Sequence, residues 1–375
     1  TKDASLNIRS FYLGSTKPSE LAKNKRFITP VNLSYVPRLF KNRMFPIHVA
    51  IIQVTPPDDF GWMSLGVSAD VTLAAALAAD LVIVQVNSNM PWVLGSGFIH
   101  VNDVDIIVEH DEDLITLSRF KGTEQGDTIA RLLARLVDDG STIQMSLGAT
   151  PEQTLQALAG KNDIGVHSLF ITDGMMKLVS MGIITNRKKG FNDGKMVASN
   201  AIGSKELYEF LNYNPSVDFH PTDYVCDPRI ISRHNRMVSM NIAIAMDLTG
   251  QVAADAFSFN YYAGVTGIND FTRGSALAKG GKSILIINSK DPTGKRSCIV
   301  PSLGETAAVI PRGDVNYVVT EYGAVNLLGK SYQERATAII SIAHPDVREE
   351  LFFEAKKMGL LGADRRLKKA MQGVY

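Results

Sequence analysis

Four stretches of the 375-residue chain combine residue types that could do chemistry with a spacing that would present them. The first, SLGATPE (146–152), reads as a strand end running into a helix N-terminus. Backbone N–H groups there lack an acceptor within the helix and carry the positive end of its dipole. Ser146, Leu147, Gly148, Ala149 and Thr150 therefore form a turn able to hold a phosphate or an oxyanion, although many α/β proteins carry such turns without a ligand. The second is YYAGVTGINDFTRGSALAKGGKS (261–283). Gly264, Gly267, Gly274, Gly280 and Gly281 let the backbone approach a ligand closely, and Arg273, Lys279 and Lys282 are charge-assisted donors to phosphate. A long hairpin loop needing left-handed backbone would explain the same glycines. The third, TPPDDFGWMSLGVSADVT (55–72), is a long irregular loop, either functional or a rigid connector. The fourth, VVTEYGAVNLLGKS (318–331), sets Glu321 at a strand end as an acid–base carboxylate or, more simply, a hydrogen-bonded anchor.

Other residues offer less. His167 lies in an apolar strand and reads as a hydrogen-bonded core histidine. The seven histidines show no metal-binding spacing, so no metal site is expected. Cys226 and Cys298 have no neighbouring motif that would activate a thiolate and are too few for a disulfide framework. Arg187, Lys188 and Lys189 read as a solvated basic turn.

These stretches are positioned by an alternation of short β-rich runs and helical patterns. IHVAIIQV (47–54) and LVIVQVN (81–87) read as buried strands flanking the alanine-rich helix VTLAAALAA (71–79), a β–α–β unit. Residues 98–110 read as extended. A second run of the same grammar begins near 125. GDTIARLLARLVDD (126–139) is a helix stopped by Gly140, and 141–147 is a strand. The helix 148–160 takes Thr150 as N-cap and Pro151 at its first position. Strands follow at 163–170, 195–202, 237–252, 282–289 and 315–321, with helices at 173–182, 205–214 and 331–343. The charged stretch 111–125 marks a domain boundary, and RRLKKAMQGVY (365–375) reads as a solvated terminal helix.

Composition narrows the function classes. With 45% apolar and 21% charged residues the chain has material for a core, and its length suggests about two domains. Thirty-nine basic against 38 acidic residues leave a net charge of +1, so no field draws nucleic acid or an anionic membrane surface. The richest apolar run, LAAALAADLVIVQV (73–86), is broken by Asp80, and no stretch reaches the roughly 18 uninterrupted apolar residues needed to span a bilayer. A cytoplasmic protein is expected.

Taken in order, the stretches resemble the acetyl-CoA hydrolase/transferase family, which includes the 4-hydroxybutyrate CoA-transferases. The resemblance rests on VVTEYGAVNLLGKSYQERATAIISIAHPDVREEL (318–351), with its TEYG, GKS, ERA and IAHP elements. DLTGQV (247–252), G-V-x-G…DF-x-RG (264–274), KGGKS (279–283), PPDDFGWMSLGVSAD (56–70) and DGSTIQMSLGATPE (139–152) add to it. It implies an α/β fold of two CoA-transferase-type domains with mainly parallel sheets and an active site at the domain interface. The N-terminal domain is 1–120, without the first part usual in the family, and the C-terminal domain is 121–375. The implied substrates are a short-chain acyl-CoA and a carboxylate, with coenzyme A as carrier and no metal. A homodimer is the default assembly.

The family's chemistry is ping-pong. A glutamate attacks the thioester, and acyl and CoA groups exchange through a glutamyl-CoA thioester whose oxyanions need backbone N–H donors. The resemblance assigns coenzyme A contacts to Ser146, Leu147, Gly148, Ala149, Thr150, Ile244, Gly264 and Gly267. The glutamate belongs in a motif I-H-(S/T)-E-M-(I/F)-(S/T)-D-G, but this chain reads VHSLFITDG (166–174), with Leu169 in its place. Leucine has no lone pair to attack with. Thr266 likewise replaces a family glycine. Three expectations follow. The chain is an acyl-CoA:carboxylate CoA-transferase or acyl-CoA hydrolase whose nucleophile has moved, with Glu321 and Asp173 nearest by motif, or been replaced by water. It is a catalytically inactive acyl-CoA-binding protein, a sensor or regulatory subunit. Or it is an otherwise ordinary transferase that has lost its nucleophile.

Overall fold

Two compact units share the chain: one comprises 33–239 and 277–282, the other 1–32, 240–276 and 283–375. The computed structural model describes residues 9–11, 28–118, 120–257, 260–261 and 263–362. The terminal helix expected at 365–375 lies outside the described residues.

In the first unit, strands Ile47–Val54, Ala79–Val86 and Ile106–Glu109 form a parallel sheet with Ala79–Val86 in the middle. The helix Thr72–Ala78 connects the first two, as the β–α–β pattern predicts. Alternate residues Ala50, Ile52 and Val54 pack with Val82, Val84 and Val86 in one core. The stretch 98–110 is extended only in part. The His100 side chain accepts the Asn102 N–H and starts a tight turn at Val101–Asp103. The loop 55–72 holds a short strand, Trp62–Ser64, antiparallel to Phe98–His100.

Further along, the helix Glu124–Leu136 is capped by Thr123, whose hydroxyl accepts the Gly126 N–H at 3.0 Å. It ends at Leu136 because Val137 is already extended. Gly140, expected to stop it, instead takes φ +74° in the turn beyond. Strand Thr142–Met145 runs parallel to Gly165–Val166. The strand expected over 163–170 breaks in two. The His167 N–H still reaches Ile143 at 3.1 Å, but the Ser168 N–H turns to Val197 at 3.0 Å. The chain thus leaves one neighbour for another, and Phe170–Ile171 pairs in parallel with Asn200–Ala201. Helices Asp173–Ser180 and Lys205–Leu211 follow, the second capped by Ser204.

In the second unit, residues 283–286 of the strand Lys282–Ile286 run parallel to Tyr317–Thr320, which turns back through Glu321 and Tyr322 into antiparallel Gly323–Asn326. Helix Tyr332–Ile342 opens with a reciprocal capping box between Ser331 and Glu334. Its apolar residues Ala336, Ile339 and Ile340 join Leu285, Val318 and Val325 in the core. A hairpin loop over 261–283 is not formed: Ile268–Leu277 is a helix. The strand Met237–Ile242 begins in one unit and ends in the other. No helix among the described residues is long and apolar enough to cross a membrane.

Candidate functional site

The fully buried strand Thr142–Met145 delivers the chain into Ser146, Leu147 and Gly148, all half-buried. Gly148 takes φ +143°, a backbone that a side chain resists, and from it the helix Ala149–Ala157 starts without a side-chain cap. Thr150 is therefore not the N-cap. It lies inside the helix, where its carbonyl accepts the Thr154 hydroxyl at 2.7 Å. Pro151 brings no N–H, and the Glu152 N–H closes onto the Gly148 carbonyl at 3.2 Å. The N–H groups of Ala149 and Thr150 remain as first-turn donors without an intrahelical acceptor, beside the positive end of the dipole.

Leu169 lies next to this loop through its neighbour. The Ser168 hydroxyl sits 3.4 Å from both the amide nitrogen and the carbonyl oxygen of Met145, the last strand residue before Ser146. The Leu169 carbonyl accepts the N–H groups of Ser199 and Asn200 at 3.2 and 3.1 Å. Its backbone is thus pinned while its side chain stays half-buried. The structure brings Met145 and Ser168, the residues just before 146 and 169, into contact at one end of neighbouring parallel segments.

Sequence reasoning missed Glu152. It lines a cavity of about 310 Å³ with Leu147, Leu155, Thr172, Asp173, Lys177 and further residues. Burial holds its carboxyl above the usual range, against the nearby Thr172 hydroxyl and with Asp173 adding repulsion. The signal was present in ATPE, an acidic residue one turn into a helix expected to meet an anion. Asp173 itself is engaged by the Ser204 hydroxyl and N–H.

The basic turn 187–189 is corrected at one position. Lys188 is exposed and pairs with Asp163, but Lys189 is 0% exposed. Its ammonium donates to the Val166 carbonyl at 2.8 Å and the Lys195 carbonyl at 2.6 Å. Burial lowers it from 10.5 to about 7, with Asp193 and Asp218 opposing. Nearby, His167 is the core histidine expected, its Nε2 2.8 Å from the Val225 carbonyl and its ring 4.3 Å from that of His234. Burial, and then its neighbours' positive charge, pushes His167 well down and His234 to about 3. Lys282 is also committed, to the Leu136 carbonyl and Asp138.

In the other unit, the family-like motifs fold as anchors. Asp247 of DLTGQV accepts the N–H groups of Thr249 and Gln251 at 2.9 and 3.0 Å, closing a turn. Arg335 of ERA donates to the Arg312 carbonyl at 2.8 Å. Glu321 accepts both the N–H and the hydroxyl of Ser289. Cys298 is buried and pushed up to about 12, which leaves it a thiol. Gly264 and Gly267 are buried in the segment opening helix Ile268–Leu277. Between them Thr266 takes φ +54°, left-handed backbone that suits the glycine it replaces. Ile244 is half-buried, its N–H on the Ala253 carbonyl at 2.8 Å.

Two family models match the chain: the acetyl-CoA hydrolase/transferase N-terminal domain over residues 2–118 and its C-terminal domain over 203–355. The chain belongs to the acetyl-CoA hydrolase/transferase family. Among the relatives is the 4-hydroxybutyrate coenzyme A transferase of Clostridium kluyveri, 43% identical over 93% of this chain and 81% of that protein. The succinyl-CoA:cyclohexane-1-carboxylate CoA transferase of Geobacter metallireducens is 36% identical over 94% of this chain and 81% of its own length. Two solved structures superpose closely on the chain. RipA from Yersinia pestis has a TM-score of 0.89 at 35% identity, covering 95% of this chain and 82% of that one. The 4-hydroxybutyrate CoA-transferase of Porphyromonas gingivalis has a TM-score of 0.79 at 38% identity, covering 92% and 84%.

Proposed function

We propose that the chain binds short-chain acyl-CoA thioesters and acts on them as an acyl-CoA:carboxylate CoA-transferase or acyl-CoA hydrolase. The observation that carries this reading is the uncapped helix opening on Gly148, set beside the Leu169 segment in a chain of this family. Its free N–H groups suit coenzyme A phosphate or a thioester oxyanion. Ser146, Leu147, Gly148, Ala149 and Thr150 form this contact, with Ile244, Gly264 and Gly267 as further coenzyme A contacts. Relatives named for 4-hydroxybutyrate and for butyrate and acetate favour a short carboxylate partner. Domains 1–120 and 121–375, a homodimer and a cytoplasmic site belong to the same reading.

Leu169 dictates the chemistry left open. With no carboxylate there, the glutamyl thioester cannot form at that position. Water then adds to the thioester carbonyl, a C–O bond forms, the C–S bond breaks, and the CoA thiolate leaves and takes up a proton. Glu321 and Asp173 are the carboxylates nearest by motif, though the first holds Ser289 and the second Ser204. Leu169 also favours a second reading, a non-catalytic acyl-CoA binder serving as sensor or regulatory subunit.

One experiment separates these. The protein is incubated with acetyl-CoA or butyryl-CoA, free thiol is measured, and any protein thioester is trapped with hydroxylamine and mapped by mass spectrometry. Thiol release without an adduct supports hydrolysis, and an adduct on an acidic residue supports transfer. Saturable binding with neither supports the binder, and no binding by folded protein refutes the proposal. Leu169→Glu is expected to create or raise CoA transfer to acetate. Intact CoA binding with no gain would refute the placement of the nucleophile.

A further inference from the structure

Glu152 stands between two helix starts. It belongs to the first turn of Ala149–Ala157, directly after the loop 146–150. Its carboxyl reaches across to Gly174, the second residue of helix Asp173–Ser180, which follows the segment carrying Leu169. The approach is possible only because Gly174 has no side chain. A Cβ there would sit 2.5 Å from Glu152 Oε2 and 2.7 Å from a methyl carbon of Leu155. One carboxyl therefore ties the candidate anion loop to the segment of the missing nucleophile.

Its surroundings make that carboxyl sensitive to charge. Beside it, the cavity is walled by Leu117, Leu147, Leu155, Leu178, Met181 and Ile202. The other charged groups lining it, among the described residues, are Asp173 and Lys177, both on the facing helix. Asp173 is held by the Ser204 N–H at 3.1 Å and by its hydroxyl, and Lys177 is exposed to solvent. An anion seated on the N–H groups of Ala149 and Thr150 would lie within about one helical turn, ~5 Å along the axis, of the residue bearing this carboxylate. Water screens the repulsion poorly in such a place. Protonation of Glu152 removes it.

We propose that Glu152 is a positioning residue that couples the loop 146–150 to the segment 166–174 and links anion binding at the loop to proton uptake by its own carboxyl. The inference rests on the reading of that loop as the coenzyme A contact. Its direction agrees with the effect of burial, which already favours the protonated form. A loop with a carboxylate pressed behind it grips its ligand best when that carboxylate is neutral.

Calorimetric titration with coenzyme A tests this from about pH 4.5 to 8, in buffers of different ionisation enthalpy, on the unsubstituted protein and on Glu152→Gln. The Gly174 N–H stabilises the ionised Glu152 carboxyl, partly offsetting burial, and the glutamine keeps an acceptor for it while abolishing the charge. Dephospho-coenzyme A serves as a second probe, free of the terminal phosphate that itself titrates near pH 6. The expected result is proton uptake by the unsubstituted protein with both ligands and an affinity that falls as pH rises through the titration of the carboxyl. The variant should lose the uptake seen with the dephospho ligand and bind more tightly at pH 8. Parallel pH dependences in the two proteins, or no uptake with the dephospho ligand, overturn the linkage while leaving the binding site standing. Failure of either ligand to bind folded protein at any pH overturns the proposed function and the linkage with it. Should Glu152→Gln not fold, absence of proton uptake by the unsubstituted protein with the dephospho ligand still overturns the linkage, and Glu152→Ala takes the variant's place.

Discussion

Replacement of Lys189 by Met should reshape the pH dependence of stability on the alkaline side. Lys189 has 0% exposure, and its ammonium meets the Val166 and Lys195 carbonyls. Its pKa falls from 10.5 in the free side chain to about 7 in the fold, chiefly through burial. Between those values the unfolded chain holds a proton that the folded chain has released. Stability therefore rises with pH across this window, at about 1.4 kcal/mol per pH unit. Below pH 7 both states are protonated and the slope vanishes. Over the whole window the gain is about 5 kcal/mol, a ceiling because the two carbonyl acceptors favour the ammonium. Lys189→Met removes the titration and leaves both carbonyls without their donor, a cost of about 1–3 kcal/mol each. The measurement is urea unfolding at pH 7, 8, 9 and 9.5, followed by tryptophan fluorescence. Both tryptophans, Trp62 and Trp92, lie in the same compact unit as Lys189. The stability of the unsubstituted protein relative to the variant should rise by about 3 kcal/mol from pH 7 to 9.5. The neighbours His167, His220 and His234 are all shifted downward, so they are neutral throughout. Two stability curves that run parallel over that range would refute the account of Lys189 as a buried, titrating ammonium.

Two further substitutions probe the loops. Gly148→Ala forces a side chain onto φ +143°. It should cost about 1–3 kcal/mol, read as lower unfolding stability or, if the loop yields, as weakened coenzyme A binding in calorimetry. Thr266→Gly should do the reverse. Relief of a β-branched residue at φ +54° should stabilise the fold by about 1 kcal/mol in chemical denaturation, and unchanged or lower stability would show that Thr266 is unstrained.

Much of the fold was legible in local pattern. The runs 47–54 and 81–87 become parallel strands because segments rich in Val and Ile suit a pleated surface, although 47–54 is not the buried strand expected: Ile51 is 75% exposed and only alternate residues enter the core. Ser331 and Glu334 announce their own helix start, because both partners of the capping box lie within one turn. Local pattern erred where the deciding partner was remote in sequence. The strand at 163–170 breaks because Ser168 finds Val197, 29 residues on.

The sequence by itself determined the family, the alternation of strands and helices, and two chemical departures: Leu169, where a nucleophilic acid is expected, and Thr266, where a glycine is expected. Each is a matter of residue type at a position and needs no coordinates. Tertiary structure alone decided that Lys189 is buried beside Lys188 in solvent, and that Glu152 rests against Gly174. Lys189 lies 23 residues from Val166, whose carbonyl it meets, and a pattern that sees only one turn or one strand ahead cannot register such a pairing. Whether a charge is solvated or buried depends on what the rest of the chain brings to it.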